Sequence, residues 1–219
     1  MLDDYRNTIY CPKYSGIKEK KKKLLKKIRE SHHRAVDMHP FISRNDSMYK
    51  DNFMEIYNYK CSYCGVSIDI IDRAYFEIDH FVHRQSKKFN GLRNAGNIDN
   101  LVLSCHDCNH DKGSFEIPDE KYIDLYPDED QIKKTFIRDD QFYIKVSKEK
   151  REDTTVNEFY EKLHLGSEKN RIDYLLMSMI GLQEKIKGNS EVCSLLGQAI
   201  GILRRKRNLM ARVYREQWK

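Results

Sequence analysis

The chain has 219 residues, with 40 Lys and Arg against 34 Asp and Glu, a net charge of +6, and 39% hydrophobic and 34% charged residues. That length suits one large domain, or a small one with additions, and admits a genuine core; 14 Tyr and 9 Phe are too many aromatics for a disordered polyelectrolyte. No apolar run approaches the roughly 18 residues of a spanning helix, and the start, Met1 to Asp4, has no basic or apolar leader pattern, so a soluble, cytoplasmic protein is expected rather than a membrane or secreted one.

Residues 17–36 space Leu24, Leu25, Ile28, Ala35 and Val36 for one helical stripe amid dense positive charge, which predicts a basic helix. Lys20, Lys21, Lys22 and Lys23 either contact phosphate or form a solvated face, and the charge run alone does not choose. A loop is expected around His39 and Pro40, then a helix over 48–58 packing Phe53, Ile56 and Tyr57. Residues 74–82 alternate, with Phe76 and Ile78 on one face and Glu77 and Asp79 on the other, as in a short strand ending at Asp79 and His80. A polar loop over 83–97 leads to a second strand over 98–104 and a short helix starting near Asp107.

Beyond Pro118 the pattern predicts a turn at Tyr126 to Asp128, a hairpin over 135–146 folded at Asp139 and Asp140, and a helix opened by a capping box at Thr155 and Glu158. A second helix starts at Ser167. A third starts at Ser190 and runs basic through Arg204, Arg205, Arg207, Arg212 and Arg215. The expected organisation is α+β: a basic helical region over 1–52, a central module over 53–118, and a hairpin plus helices over 119–219.

Four of six cysteines form two Cys-x-x-Cys pairs, Cys61 with Cys64 and Cys105 with Cys108. Tetrahedral zinc wants four soft ligands, and each such turn presents two sulfurs about a common point. Redox dithiol chemistry has no need of a matching second pair. One structural Zn2+ is therefore expected, with Gly65 permitting the tight turn after Cys64, and Cys11 and Cys193 as ordinary buried thiols. A four-cysteine zinc has no open position, so catalysis must use other groups. Between and just after the pairs lie Asp79, His80 and Asn109. Carboxylate and amide oxygens suit Mg2+, and a neighbouring imidazole can take a proton from water.

These motifs, with Asn100 to Leu103 and with Lys112 and Gly113 after the last cysteine, closely resemble the cysteine-containing branch of the HNH endonucleases over about residues 56–115. The resemblance implies a ββα-metal fold in which His80 is the general base and Asp79 and Asn109 hold a divalent cation, Mg2+ or Mn2+. It also implies that Asn100 fastens the loop between the strands and Lys112 faces phosphate. His83 stands where such proteins commonly carry proline; the alternatives for it are an accessory ligand, a phosphate contact or, the favoured one, a solvent-exposed loop residue, and His106 and His110 are expected near the site as well. The flanks, including Asn157 to Gly166 and Arg171 to Leu175, resemble HNH proteins of bacterial anti-phage defence systems such as the nuclease subunit of Septu, which implies an ATPase partner subunit.

The expected activity is hydrolysis of DNA phosphodiester bonds, in double-stranded DNA, with the basic helices at Lys20 to Lys23 and at Arg204, Arg205 and Arg207 guiding the backbone. An ordinary histidine pKa of about 6.5 would make cleavage rise from about pH 5.5 to 7.5. The competing reading is a non-catalytic zinc-stabilised nucleic-acid-binding or scaffold module, which has no use for Asp79, His80 and Asn109 together.

Overall fold

A computed structural model of the protein describes residues 4–89 and 95–216, with side chains as far as Met210. Helix α1 (Ile17–Ser31) turns Ile17, Lys21, Leu24 and Ile28 inward, the three-and-four spacing of one helical face. The segment expected to be a loop holds a short helix, α2 (His39–Ile42), with Pro40 in its first turn, where the missing N–H costs nothing. Helix α3 (Met48–Ile56) starts at Ser47, whose hydroxyl accepts from Tyr49 N at 3.1 Å, and buries Phe53, Met54 and Ile56.

Strands β1 (Phe76–His80) and β2 (Leu101–Cys105) pair antiparallel, with Phe76 opposite Cys105 and His80 opposite Leu101. All five β2 residues are buried. Helix α4 (His106–Lys112) follows directly and packs on both strands; it stops at Gly113, whose φ of +50° suits glycine. Two short helices, α5 (Tyr122–Leu125) and α6 (Ile132–Thr135), lead to the hairpin of β3 (Phe136–Arg138) and β4 (Ile144–Val146).

Helix α7 (Thr154–Lys162) is capped by Asp153, whose carboxylate accepts from Val156 N at 3.2 Å, rather than by Thr155. The upstream carboxylate is the better acceptor, so the helix begins earlier. Helix α8 (Glu168–Lys185) is capped by Ser167, and α9 (Ser190–Glu216) packs back on it through Ile200 against Ile172 and Leu176. Among the described residues no helix is long and apolar enough to cross a membrane.

One continuous core runs from Tyr5 to Leu165, so the amino-terminal segment is part of it. Three consecutive carbonyls of the cysteine turn accept bonds from that segment: Cys61 O from Tyr14 Oη at 2.9 Å, Ser62 O from Arg6 Nη1 at 2.8 Å, and Tyr63 O from Tyr5 Oη at 2.7 Å. Gly65 sits at φ +82°, and a Cβ there would lie 2.5 Å from the Arg6 carbonyl oxygen. Both the turn and this close approach require glycine.

Candidate functional site

The Sγ atoms of Cys61, Cys64, Cys105 and Cys108 are buried and all lie within 4.8 Å of one another. Zn–S bonds of about 2.3 Å at tetrahedral angles put sulfurs about 3.8 Å apart, and Cys64 Sγ and Cys105 Sγ are 3.8 Å apart. The tetrad is therefore compatible with zinc in donor type, number and size. Within the first turn, Cys61 N donates to Val66 O and Gly65 N to Cys61 O, which folds the two thiols toward one point. Cys11 and Cys193 lie away from this cluster and are half-buried.

Alternation along β1 sends Glu77 and Asp79 toward α4. Asp79 is buried; Tyr63 Oη donates to its Oδ2 at 2.6 Å, and Lys112 Nζ lies 3.2 Å from its Oδ1. Burial pushes its carboxyl up to about 6, against the downward pull of Lys112 and Tyr63. Each oxygen accepts one bond and keeps lone-pair capacity for a cation. Lys112 was expected to face phosphate, and the structure corrects this. It is fully buried, donating to His80 O at 3.0 Å and Phe81 O at 3.3 Å. One charge must accompany a carboxylate this deep, and Lys112 supplies it.

His80, the last residue of β1, is also buried, and its Nε2 has no hydrogen-bond partner. Its ring stacks on that of His39 from α2, whose Nε2 lies 3.2 Å from Ile78 O. Burial, reinforced by the nearby His39, Arg84 and Lys112, pushes the His80 pKa down to about 3. The ring is thus neutral well below pH 5.5, and the rise in rate expected of an ordinary histidine between pH 5.5 and 7.5 is not to be sought from it.

Asn109, half-buried on α4, donates through Nδ2 to Glu77 Oε2 at 2.5 Å, while His106 Nδ1 lies 2.8 Å from Glu77 Oε1. Glu77 raises the His106 pKa through that bond. Asn109 and Lys112 are one helical turn apart and meet Glu77 and Asp79, which are two apart on the strand, so helix and strand run their polar groups side by side. Asn100 closes both ends of the intervening loop: its Oδ1 accepts from Val82 N, and its Nδ2 donates to Val82 O and Ala95 O, each at 2.9 Å.

His83 is not the free loop residue expected. Its Nε2 lies 2.5 Å from Glu116 Oε1, and Ser86 Oγ donates to the other oxygen of the same carboxylate at 3.0 Å. Where a proline would stiffen the chain, this hydrogen-bonded clasp ties the loop to the segment after α4.

The basic helices divide. Lys20, Lys22 and Lys23 reach solvent, but Lys21 is buried, donating to Leu101 O at 2.6 Å and to Asp128 Oδ2 at 2.5 Å. It sits at an inward position of α1, so it cannot guide a nucleic acid. Lys20, Lys23 and Lys27 line a groove of about 350 Å³ against Asn52 and Asn58. On α9, Arg204 and Arg205 are exposed, whereas Arg207 forks onto the buried Asp173 and is likewise removed from any such role. Arg212 and Arg215 lie beyond the described side chains.

Sequence reasoning did not single out Tyr63, His39 or Glu77. Tyr63 sits between the two cysteines of the first turn and Glu77 faces the same way as Asp79, so both had a local signal. His39 is 41 positions before His80 and had none.

Residues 61–115 match the family model for HNH endonuclease. The Septu protein PtuB of Bacillus mycoides (strain KBAB4) is 30% identical over 92 residues, which is 37% of this chain and 30% of that protein. The chain thus matches less than a third of that relative's length. No solved structure matches.

Proposed function

We propose that this protein, which carries an HNH endonuclease domain at residues 61–115, is a metal-dependent endonuclease that hydrolyses DNA phosphodiester bonds. We read it as the cytoplasmic effector of a bacterial anti-phage defence system that acts beside an ATPase partner subunit; the likeness to the Septu protein PtuB supports that setting. The observation that carries the nuclease reading is the buried, unpartnered Nε2 of His80 on a neutral ring, adjacent in the chain to a buried carboxylate. A general base must be unprotonated and must have a free nitrogen for water.

His80 takes the proton from the attacking water, and the stacked His39 ring limits how far the imidazole can swing. Asp79 and the amide oxygen of Asn109 would hold a Mg2+ or Mn2+ ion, which when bound neutralises charge on the phosphate and the leaving oxygen. Glu77 fixes the Asn109 amide through its Nδ2, and Asn100 holds the loop that follows His80. The cysteine tetrad holds a structural Zn2+ and keeps β2, α4 and the first turn in register, the preorganisation a site requires. Lys20, Lys22 and Lys23 contribute attraction to the DNA backbone without reading bases.

One observation favours a non-catalytic zinc module: Lys112 and Tyr63 already engage both oxygens of Asp79. Nicking of supercoiled plasmid with Mg2+ or Mn2+, set against EDTA, separates the two. The nuclease reading expects metal-dependent nicking that falls by at least about a hundredfold in His80→Ala; equal activity in that variant, or none in the intact protein, would leave the binding module.

A further inference from the structure

We infer that Arg138 and Lys169, both outside the HNH endonuclease domain, are the charge partners of the zinc centre and set how tightly the ion is held, an assignment that rests on reading the four cysteines as a zinc site. Zn2+ brings two positive charges and four thiolates bring four negative ones, so the loaded centre is a dianion. The four sulfurs are buried, and a net charge taken out of water needs compensation from within the protein.

Two other cations near the first cysteine turn are already engaged. Arg6, which donates to Ser62 O, is forked by Asp4, and Lys60 spends its Nζ on Asn7 Oδ1 and Pro12 O, each at 2.7 Å. Arg138, the last residue of β3, differs. Its Nε donates to Tyr5 O at 2.7 Å and its Nη1 to Phe142 O at 2.6 Å, and the guanidinium lies 4.2 Å from the centre of the Tyr174 ring. None of these partners is a carboxylate, and Nη2 is buried with no partner at all. Asp173, a carboxylate near enough to act on it, is taken by Arg207. Tyr5 leads into Arg6, whose carbonyl oxygen a Cβ on Gly65 would meet at 2.5 Å, so the guanidinium stands beside the turn that carries Cys64. Burial lowers its pKa to about 10, with Tyr174 and a Cys64 thiolate opposing, and it stays cationic at neutral pH.

Lys169 serves the second pair. It lies in the first turn of α8, where a positive charge opposes the helix dipole, so some other group must favour it. Its Nζ is 2.7 Å from Asp107 Oδ2, in the turn between Cys105 and Cys108. Asp107 itself is exposed, so its charge is shared with solvent. Burial pulls the Lys169 pKa down, but a Cys105 thiolate, ahead of Asp173 and Asp107, more than restores it. Each cysteine pair thus has one cation from the carboxy-terminal region beside it, and together they match the charge of the loaded centre.

The test measures zinc affinity of the full chain by competition with a chromophoric chelator, and the thiolate-to-cobalt charge-transfer band after loading with Co2+. Arg138→Gln and Lys169→Met should each raise the zinc dissociation constant at least about tenfold. Both should move the band to longer wavelength, because the sulfur electrons lose a stabilising charge. Asp107→Asn breaks the same contact as Lys169→Met yet removes a negative charge, so zinc should be held at least as tightly as in the intact chain. Thermal unfolding checks each fold, and if Arg138→Gln does not fold, Lys169→Met set against Asp107→Asn decides. An unchanged constant and band in the neutral variants, or a loss of affinity in Asp107→Asn equal to that in Lys169→Met, would overturn the assignment and leave the zinc site standing. An intact chain that takes up no zinc would overturn both. None of these readouts depends on nuclease activity.

Discussion

The imidazoles of His39 and His80 stack with centroids 4.5 Å apart and planes at 27°, so a residue of α2, outside the HNH endonuclease domain, forms one wall of the candidate active site. The His39 ring is itself held by its contact with Ile78 O at 3.2 Å. If it positions the base, its flat bulk matters more than its nitrogens. His39→Ala should lower the plasmid-nicking rate about tenfold, and His39→Phe should restore most of it. Equal rates in all three proteins would show that the stack has no positioning role.

The bond from Asn109 to Glu77 makes a prediction about metal affinity. Neutralising Glu77 as Glu77→Gln leaves the chain sterically intact but weakens the hold on the Asn109 amide. The Mg2+ concentration for half-maximal nicking should rise about tenfold or more, as for loss of an outer-sphere partner of a ligand, with little change in the rate at saturating Mg2+. Asn109→Ala should raise it further. A fall in saturated rate with unchanged Mg2+ dependence would place Glu77 in another role.

Burial separates Lys21 from its neighbours. Replacing Lys20, Lys22 and Lys23 by Gln should weaken DNA binding across sequences and lower the slope of log affinity against log salt by up to about 3, close to one per lost phosphate contact. Lys21→Met should leave that slope unchanged and destabilise the fold by about 3–5 kcal/mol, because Asp128 then lies buried without its cation. Salt titrations and urea unfolding of the two proteins distinguish these outcomes.

The Asp4–Arg6 pair governs part of the acid response. Burial pushes the Asp4 carboxyl up, but the Arg6 guanidinium beside it, with Lys133 further off, outweighs this and leaves the group below its ordinary value of 3.8. As pH falls below about 4, the unfolded chain takes up this proton before the folded one. Stability contributed by the pair is present above that point and lost as pH falls through the lower, folded value. Asp4→Asn should be less stable than the intact chain at pH 7 and show a shallower loss between about pH 4 and 2, measured by urea unfolding.

Much of this was legible locally. The cysteine spacing, the alternation of residues 76–80 and the helix start at Ser167 are short-range signals, and the strands, α4 and α8 follow from them. What escaped depends on tertiary burial. A lysine run reads as a solvated face, yet the inward position of Lys21 and the depth of Asp79 turn Lys21 and Lys112 into internal counter-charges. The helical turn at His39 and Pro40 was hidden because its value lies in a contact with a strand far along the chain. Thr155 looked like a cap because a capping box is a pattern of side chains, whereas the helix chose the stronger acceptor two residues earlier.

Two metals have separate duties in the proposed enzyme, one fixed by sulfur and one exchangeable at oxygen. Elemental analysis paired with nicking assays, before and after dialysis against EDTA, tests this most directly. The prediction is about one zinc per chain at both stages, with nicking lost after dialysis and restored by Mg2+ alone. A chain purified without zinc, or nicking that follows zinc content and ignores added Mg2+, would contradict it.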